Sequence, residues 1–496
     1  MRYTILALAA GMAFTACGDF LEEVSQSEMI PKTAEDFSEL LLGSGYPDQN
    51  GPSIAFLCLL DDDQEQLINY SGSDRNQYVA SSEAVTYMPY YTWQPYMSTN
   101  DGYMTPINGS PLQTTYYAFY EKIKGCNAVL DFIDDAQGAQ ADKDRVKAEA
   151  LAVRALLYFQ LVNIYGQPYN YVKKHGIKDA PGVPLKLNSS LSEDPIARAT
   201  VDSVYESVIL PDLREAARLM DPLPVMRRNY RINQPAIHTL LSRVCLYMER
   251  YEECIVEVDR AVGQGAVMLD MVNNLSAIQS DPNYAPISYL NPEVEWMFGP
   301  IACFDNVCYG PAHSTSWRSM FNSRTDTRYK AYCLTYQGSL NYCFISKPRG
   351  SGIGQCIRTA EAYLNKMEAL ALLGRDAEAL SMLNDFRSMR ITSYKAATYA
   401  GDALLQQIRT ERRKELCYEG HRWFDLRRYG MPSITHRYKY EKSGQIYELR
   451  LEEADPMYTI PLPSCLLEKN KSLVLNPEHV AMQGTERTGT PEVEEE

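Results

Sequence analysis

A mainly α fold of stacked helix hairpins, interrupted by long irregular loops and with few short strands, is what this sequence predicts. Three observations carry that expectation. Apolar residues recur three or four apart over long stretches, and two such stretches resemble each other. Two further stretches lose all periodicity while gaining Tyr and Trp.

The first element is an address. Residues 1–16 combine Arg2 with an apolar run from Thr4 to Ala16, too short to cross a bilayer. That is a secretory signal. Thr15-Ala16-Cys17 resembles a lipobox, although Phe14 stands where Leu is usual. Cys17 is therefore the expected acylation site, and lipid would hold residues 17–496, read as one body, to a membrane.

Next comes an irregular, Tyr-rich stretch over about 43–111 that contains Trp93. Helical periodicity then covers about 112–170, 200–262 and 357–430. In the first of these regions Tyr116 to Ile133 is helical. Asp142 can cap a second helix carrying Ala150, Val153, Leu157, Leu161 and Ile164, which ends at Gly166 before Pro168. The other two regions match: Leu246–Ile255 aligns with Ala371–Leu380 at an offset of 125. Each places a tight turn between two helices, Glu249-Arg250-Tyr251 in one and Gly374-Arg375-Asp376 in the other. This is the tetratricopeptide style of hairpin, stacked into an alpha-alpha superhelix. Between them, about 265–356 loses periodicity and holds Trp296 and Trp317. Aromatic content in both loop regions argues against disorder. The tail over 483–496 is polar and acidic, and is expected to be flexible.

Composition narrows the function. With 63 acidic and 48 basic side chains the net charge is −15, which disfavours binding to nucleic acid. Hydrolase, zinc-protease and phosphate-loop motifs are missing, and Gly350 to Gly354 lacks the Lys of a phosphate loop. No metal or cofactor is expected. Asp61-Asp62-Asp63 with Glu65 lacks the glycine and spacing of a calcium loop, so a solvated acidic turn is the expectation. Removing Cys17 leaves eleven of twelve cysteines. Cys245 and Cys254 lie in helical patterns as core thiols. Cys303, Cys308, Cys333, Cys343 and Cys356 could hold one or two disulfides.

The densest motif is Ile408 to Gly430. Glu411 and Lys414, and Arg412 and Glu415, are helical neighbours able to pair. Arg422, Asp425 and Arg428 continue the charge beyond Gly420, beside Trp423, Phe424 and Leu426. A structural ionic network of Glu411, Arg412, Glu415, Arg422 and Asp425 is expected, locking two helices. His421 alone is no catalytic constellation.

Together Cys17-Gly-Asp-Phe-Leu-Glu22, Leu151 to Gly166, Ile408 to Gly430, Tyr458 to Pro463 and Asn476-Pro477 resemble the SusD/RagB outer-membrane lipoproteins. The resemblance implies tetratricopeptide-like helix pairs with loops on one side. It also implies a lipid-anchored protein exposed at the outer-membrane surface, without catalytic activity. Such a protein captures a nutrient, usually a glycan, and passes it to a SusC-like TonB-dependent transporter.

Sugars stack C–H faces on aromatic rings and hydrogen-bond to amides, carboxylates and Arg. The loop regions offer both kinds of group. Tyr91, Trp93 and Tyr96 stand with Asp74, Arg75, Asn76 and Asn100 in one; Trp296, Tyr309 and Trp317 stand with Arg318, Asn306 and His313 in the other. These form the expected glycan platform, with Trp93 and Trp317 as its centre. Peptide capture on the same scaffold, a protein-binding helical adaptor and a surface hydrolase are the competing readings.

Overall fold

The computed structural model describes residues 31–65, 88–98, 115–190, 194–227, 230–281, 285–302, 312–313, 317, 319–335, 343–345, 347, 353–439 and 445–491. The signal and Cys17 lie outside them. Helices dominate, as the periodicity predicts. The ones that build the scaffold include α1 (Ala34–Leu40), α2 (Thr115–Leu130), α3 (Gln140–Tyr165), α4 (Leu210–Met220), α5 (Gln234–Tyr247) and α6 (Tyr251–Gly263). Further along come α7 (Met271–Ser280), α8 (Thr327–Tyr332), α9 (Thr359–Leu372), α10 (Asp376–Ser388), α11 (Gly401–Glu415) and α12 (Arg422–Arg428).

The repeat is structural. Hairpins α5–α6 and α9–α10 begin 125 residues apart at both helices (234 and 359, 251 and 376). Their turns share one left-handed residue, Glu249 at φ 59° and Gly374 at φ 73°. Only glycine adopts that conformation without cost, so Glu249 tolerates the strain that Gly374 avoids. Helix α6 packs on α9, which joins the two hairpins, and α11 closes over α9.

Helix α3 is the central post, and its residues are buried almost without interruption from Val146 to Tyr165. Its internal charges are paired: Arg154 Nε reaches Asp212 at 2.8 Å. The helix starts earlier than the sequence indicated. Ala139 is its N-cap and Asp142 falls in its first turn, where a carboxylate favours the helix dipole without capping. Gly125 lets α2 cross the backbone at Ser44, since an added Cβ would sit 2.3 Å from the Ser44 carbonyl carbon. A buried apolar cluster runs from Ala34 to Leu473 through all these helices except α7 and α8, which share a second cluster with Trp317 and Phe321.

Two loop expectations need correction. The 265–356 stretch carries α7 and α8, and strand β1 (Val294–Pro300) pairs antiparallel with β2 (Ile353–Arg358). Both strands are buried on both faces, so no alternating pattern announces them. The tail is docked at least to residue 491. Thr490–Pro491 pairs with the strand Tyr447–Leu451, and the Arg487 guanidinium meets Asp455 at 2.5 Å. Cys245, Cys254 and Cys356 are free and buried, which removes Cys356 from the disulfide candidates.

One buried histidine ties the helices together. His238 on α5 sits 2.9 Å from Asp221, which caps α4, and 2.7 Å from Glu257 on α6. Arg260 also reaches Glu257, at 2.9 Å. Burial opposes the charge on His238, but the two carboxylates outweigh it and raise the pKa above 6.5. Such a group stabilises fully below its unfolded pKa and loses that contribution as pH rises through its folded value. Unfolding free energy should therefore fall as pH rises above the ordinary histidine value of about 6.5. In His238→Gln that part of the slope should vanish when denaturant curves are compared across pH.

Candidate functional site

The 408–430 block is the hub of a buried ionic network. On α11, Glu415 accepts from Arg328 Nη1 at 3.1 Å, Arg358 Nη1 at 2.7 Å and Arg390 Nε at 3.1 Å. The Tyr332 hydroxyl adds a fourth donor at 3.2 Å. Glu411 lies 2.5 Å from Arg328 and 2.6 Å from Arg387. Glu419 accepts from Lys347 at 2.5 Å and from Arg358 at 2.8 Å. Glu293 closes the ring, 2.6 Å from Arg390 and 3.2 Å from Arg358.

The local pairs anticipated within the helix do not carry the network. Lys414 reaches Asp326 at 2.7 Å, and Arg412 reaches Asp425 at 2.8 Å and Asn365 at 2.7 Å. Spacings of three and four matter on a solvated helix face, whereas Glu411, Arg412, Lys414 and Glu415 are buried and their charges turn outward to other elements. The network thus fastens the middle of the chain to the C-terminal helices. His421, at the start of α12, contributes no charge. Burial holds its pKa well below 6.5, and Arg243, Arg412 and Arg358 reinforce that.

The acidic triplet is not solvated. Asp62 binds Arg422 at 2.6 Å and Arg413 at 3.2 Å, and Asp63 binds Arg413 at 2.6 Å. Burial opposes the Asp62 charge, yet Arg422 and Arg413 hold its pKa down at about 2. Burial and the Asp63 carboxylate push Asp61 well up. This turn is the root of the first aromatic loop, locked onto the 408–430 block. Sequence reasoning missed it because Asp62 and Arg422 lie far apart in the chain; charge complementarity between the triplet and the Arg-rich block was the available signal.

The same root claims the aromatic residues. Trp93 has 0% of its surface exposed, and its indole Nε1 donates to Leu60 O at 2.9 Å. Its ring stacks on His436 at 4.2 Å, and Tyr91 stacks on His436 at 4.2 Å as well. Trp296 lies on β1 between Phe298, at 4.5 Å, and Tyr46, at 5.7 Å. Trp317 is enclosed beside Phe321 at 4.8 Å and Tyr418 at 5.7 Å. These four rings are therefore core, not an open platform. Burying an indole recovers far more free energy than leaving it wet, so the scaffold takes them. Tyr96 is half-buried. Asp74, Arg75, Asn76, Asn100, Asn306, Tyr309 and Arg318 lie outside the described residues. His313 pairs through its backbone with Gln64.

Stacked helix hairpins carrying loops on an ionic hub define a helical-repeat binding scaffold, and the comparisons place it. A family model described as starch-binding and associating with the outer membrane matches residues 19–246, and the SusD family model matches residues 319–479. The chain belongs to the SusD/RagB family. A SusD superfamily protein from Bacteroides thetaiotaomicron is similar at 21% identity and TM-score 0.67, over 90% of this chain and all (100%) of that one. A SusD-like carbohydrate-binding protein from Bacteroides vulgatus is similar at 21% identity and TM-score 0.63, over 89% of this chain and 97% of that one. A laminarin-binding SusD-like protein aligns at 19% identity and TM-score 0.59, over 90% and 98%. No curated protein matches the sequence. Among the described residues no helix is long and apolar enough to cross a membrane.

Proposed function

We propose that this chain is a lipid-anchored protein of the outer-membrane surface that captures a glycan and delivers it to a TonB-dependent transporter. It acts by binding, with no catalytic step. The observation that carries the reading is the match of residues 19–246 to a family described as starch-binding and associating with the outer membrane, beside the match of residues 319–479 to the SusD family. The lipobox at Cys17 supports the anchor, and similarity to a laminarin-binding relative supports a polysaccharide ligand. With four aromatic rings withdrawn into the core, the ligand contacts left from the sequence are Asp74, Arg75, Asn76, Asn100, Tyr309 and Arg318, with Tyr96. A rigid ionic base is how a scaffold holds binding residues at low entropic cost.

The test has two arms. Calorimetric titration of the full chain against starch, laminarin and a mixed peptide pool should show saturable binding of a polysaccharide. Peptide binding without any glycan binding overturns the reading. In cells, Cys17→Ser should move the protein from the membrane fraction to the soluble fraction; unchanged partitioning rejects the anchor.

A further inference from the structure

We propose that a cavity between α1, the first half of α3 and Met226, Arg231 and Ile232 is a second ligand site, one that takes a primary ammonium group. The cavity measures about 530 Å³, the size of site that holds a monosaccharide or a short peptide end. Its floor is apolar, from Ala34, Val146 and Ile232, with the carboxylate of Glu149 set among them.

Glu149 is the decisive group. It is only 3% exposed, and both of its hydrogen bonds fall on one oxygen. Oε2 accepts from the Tyr46 hydroxyl at 2.9 Å and from Arg231 Nη1 at 2.8 Å. Oε1 has no partner among the described residues. That oxygen faces the cavity with its acceptor capacity unused by the protein.

The rim decides the charge of that donor. Glu35, Glu39 and Asp142 stand exposed around the mouth. Against these four carboxylates the lining holds two guanidinium groups, Arg145 and Arg231, for a net charge of −2. Both are already engaged. Arg231 holds Glu149 and the Ser38 carbonyl, and Arg145 holds the Pro224 carbonyl at 3.0 Å. What remains open is acceptor capacity and negative potential, which an anion cannot use and a neutral sugar uses only in part. An ammonium supplies three donors and the missing charge. Amino sugars and the free amine of a peptide share that chemistry. The site is independent of the glycan reading, so its failure leaves that reading standing.

The experiment titrates the full chain with glucosamine and glycinamide, each beside its N-acetylated counterpart. At least one free amine should bind roughly tenfold tighter than its acetylated form, the size of one charge-assisted hydrogen bond. Whichever amine binds tighter identifies the source. Glu35→Gln combined with Asp142→Asn changes only exposed rim groups and should weaken the amine several-fold. Glu149→Gln should abolish the preference for the free amine, with a melting curve to establish that it folds. The proposal is overturned if neither amine binds, if acetylation makes no difference, or if the rim variant binds as the parent does.

Discussion

Replacing Glu415 with Gln is expected to cost roughly 3–5 kcal/mol of stability, because three buried guanidinium groups then lose their shared counter-charge. Burial alone would raise the Glu415 pKa, but Arg390, Arg358 and Arg328 hold it well below 4.5. A depressed carboxylate contributes fully above its unfolded pKa and loses that contribution as pH falls through its folded value. The parent should therefore keep this stabilisation at neutral pH and shed it only in strong acid, while Glu415→Gln lacks it throughout. Denaturant unfolding at pH 7 and pH 3 measures both statements. Glu378→Gln, which removes an exposed pair with Arg375, should leave the melting temperature unchanged. If the two variants melt alike, Glu415 is not the hub of the scaffold.

The helices were legible because their signal is local. Val153, Leu157, Leu161 and Ile164 mark α3 by spacing alone, and the 125-residue offset places both hairpins within the chain. Strands β1 and β2 were not legible, since Val294 to Phe298 are buried on both faces and show no alternation. Charge placement was legible in kind and not in partner. The 408–430 block is ionic and buried, as its composition implies, yet its partners Asp326, Arg328, Arg358 and Arg390 come from sequence-distant elements. The acidic triplet fails for the same reason: Asp62 reads as surface until Arg422 and Arg413 arrive across the fold.

Ligand contacts were the least legible part, because an aromatic ring in an aperiodic stretch has the same sequence signature whether it faces water or core. Trp93 shows the difference in its backbone. It sits at φ 49°, a strained conformation for a bulky residue, which persists only where surrounding contacts compel it. Those contacts are the Leu60 carbonyl on Nε1 and the stacked His436 ring. Trp93→Ala would leave a cavity at the root of the aromatic loop and should cost about 3–5 kcal/mol. Trp93→Phe keeps a ring against His436 but loses the N–H, so its melting temperature should fall between parent and Ala. Any loss of glycan binding in Trp93→Ala should then track unfolding and return on cooling to temperatures where the variant is folded. The opposite pattern, an unchanged melting curve with binding abolished, would make Trp93 a stacking platform after all and return the ligand site to this ring.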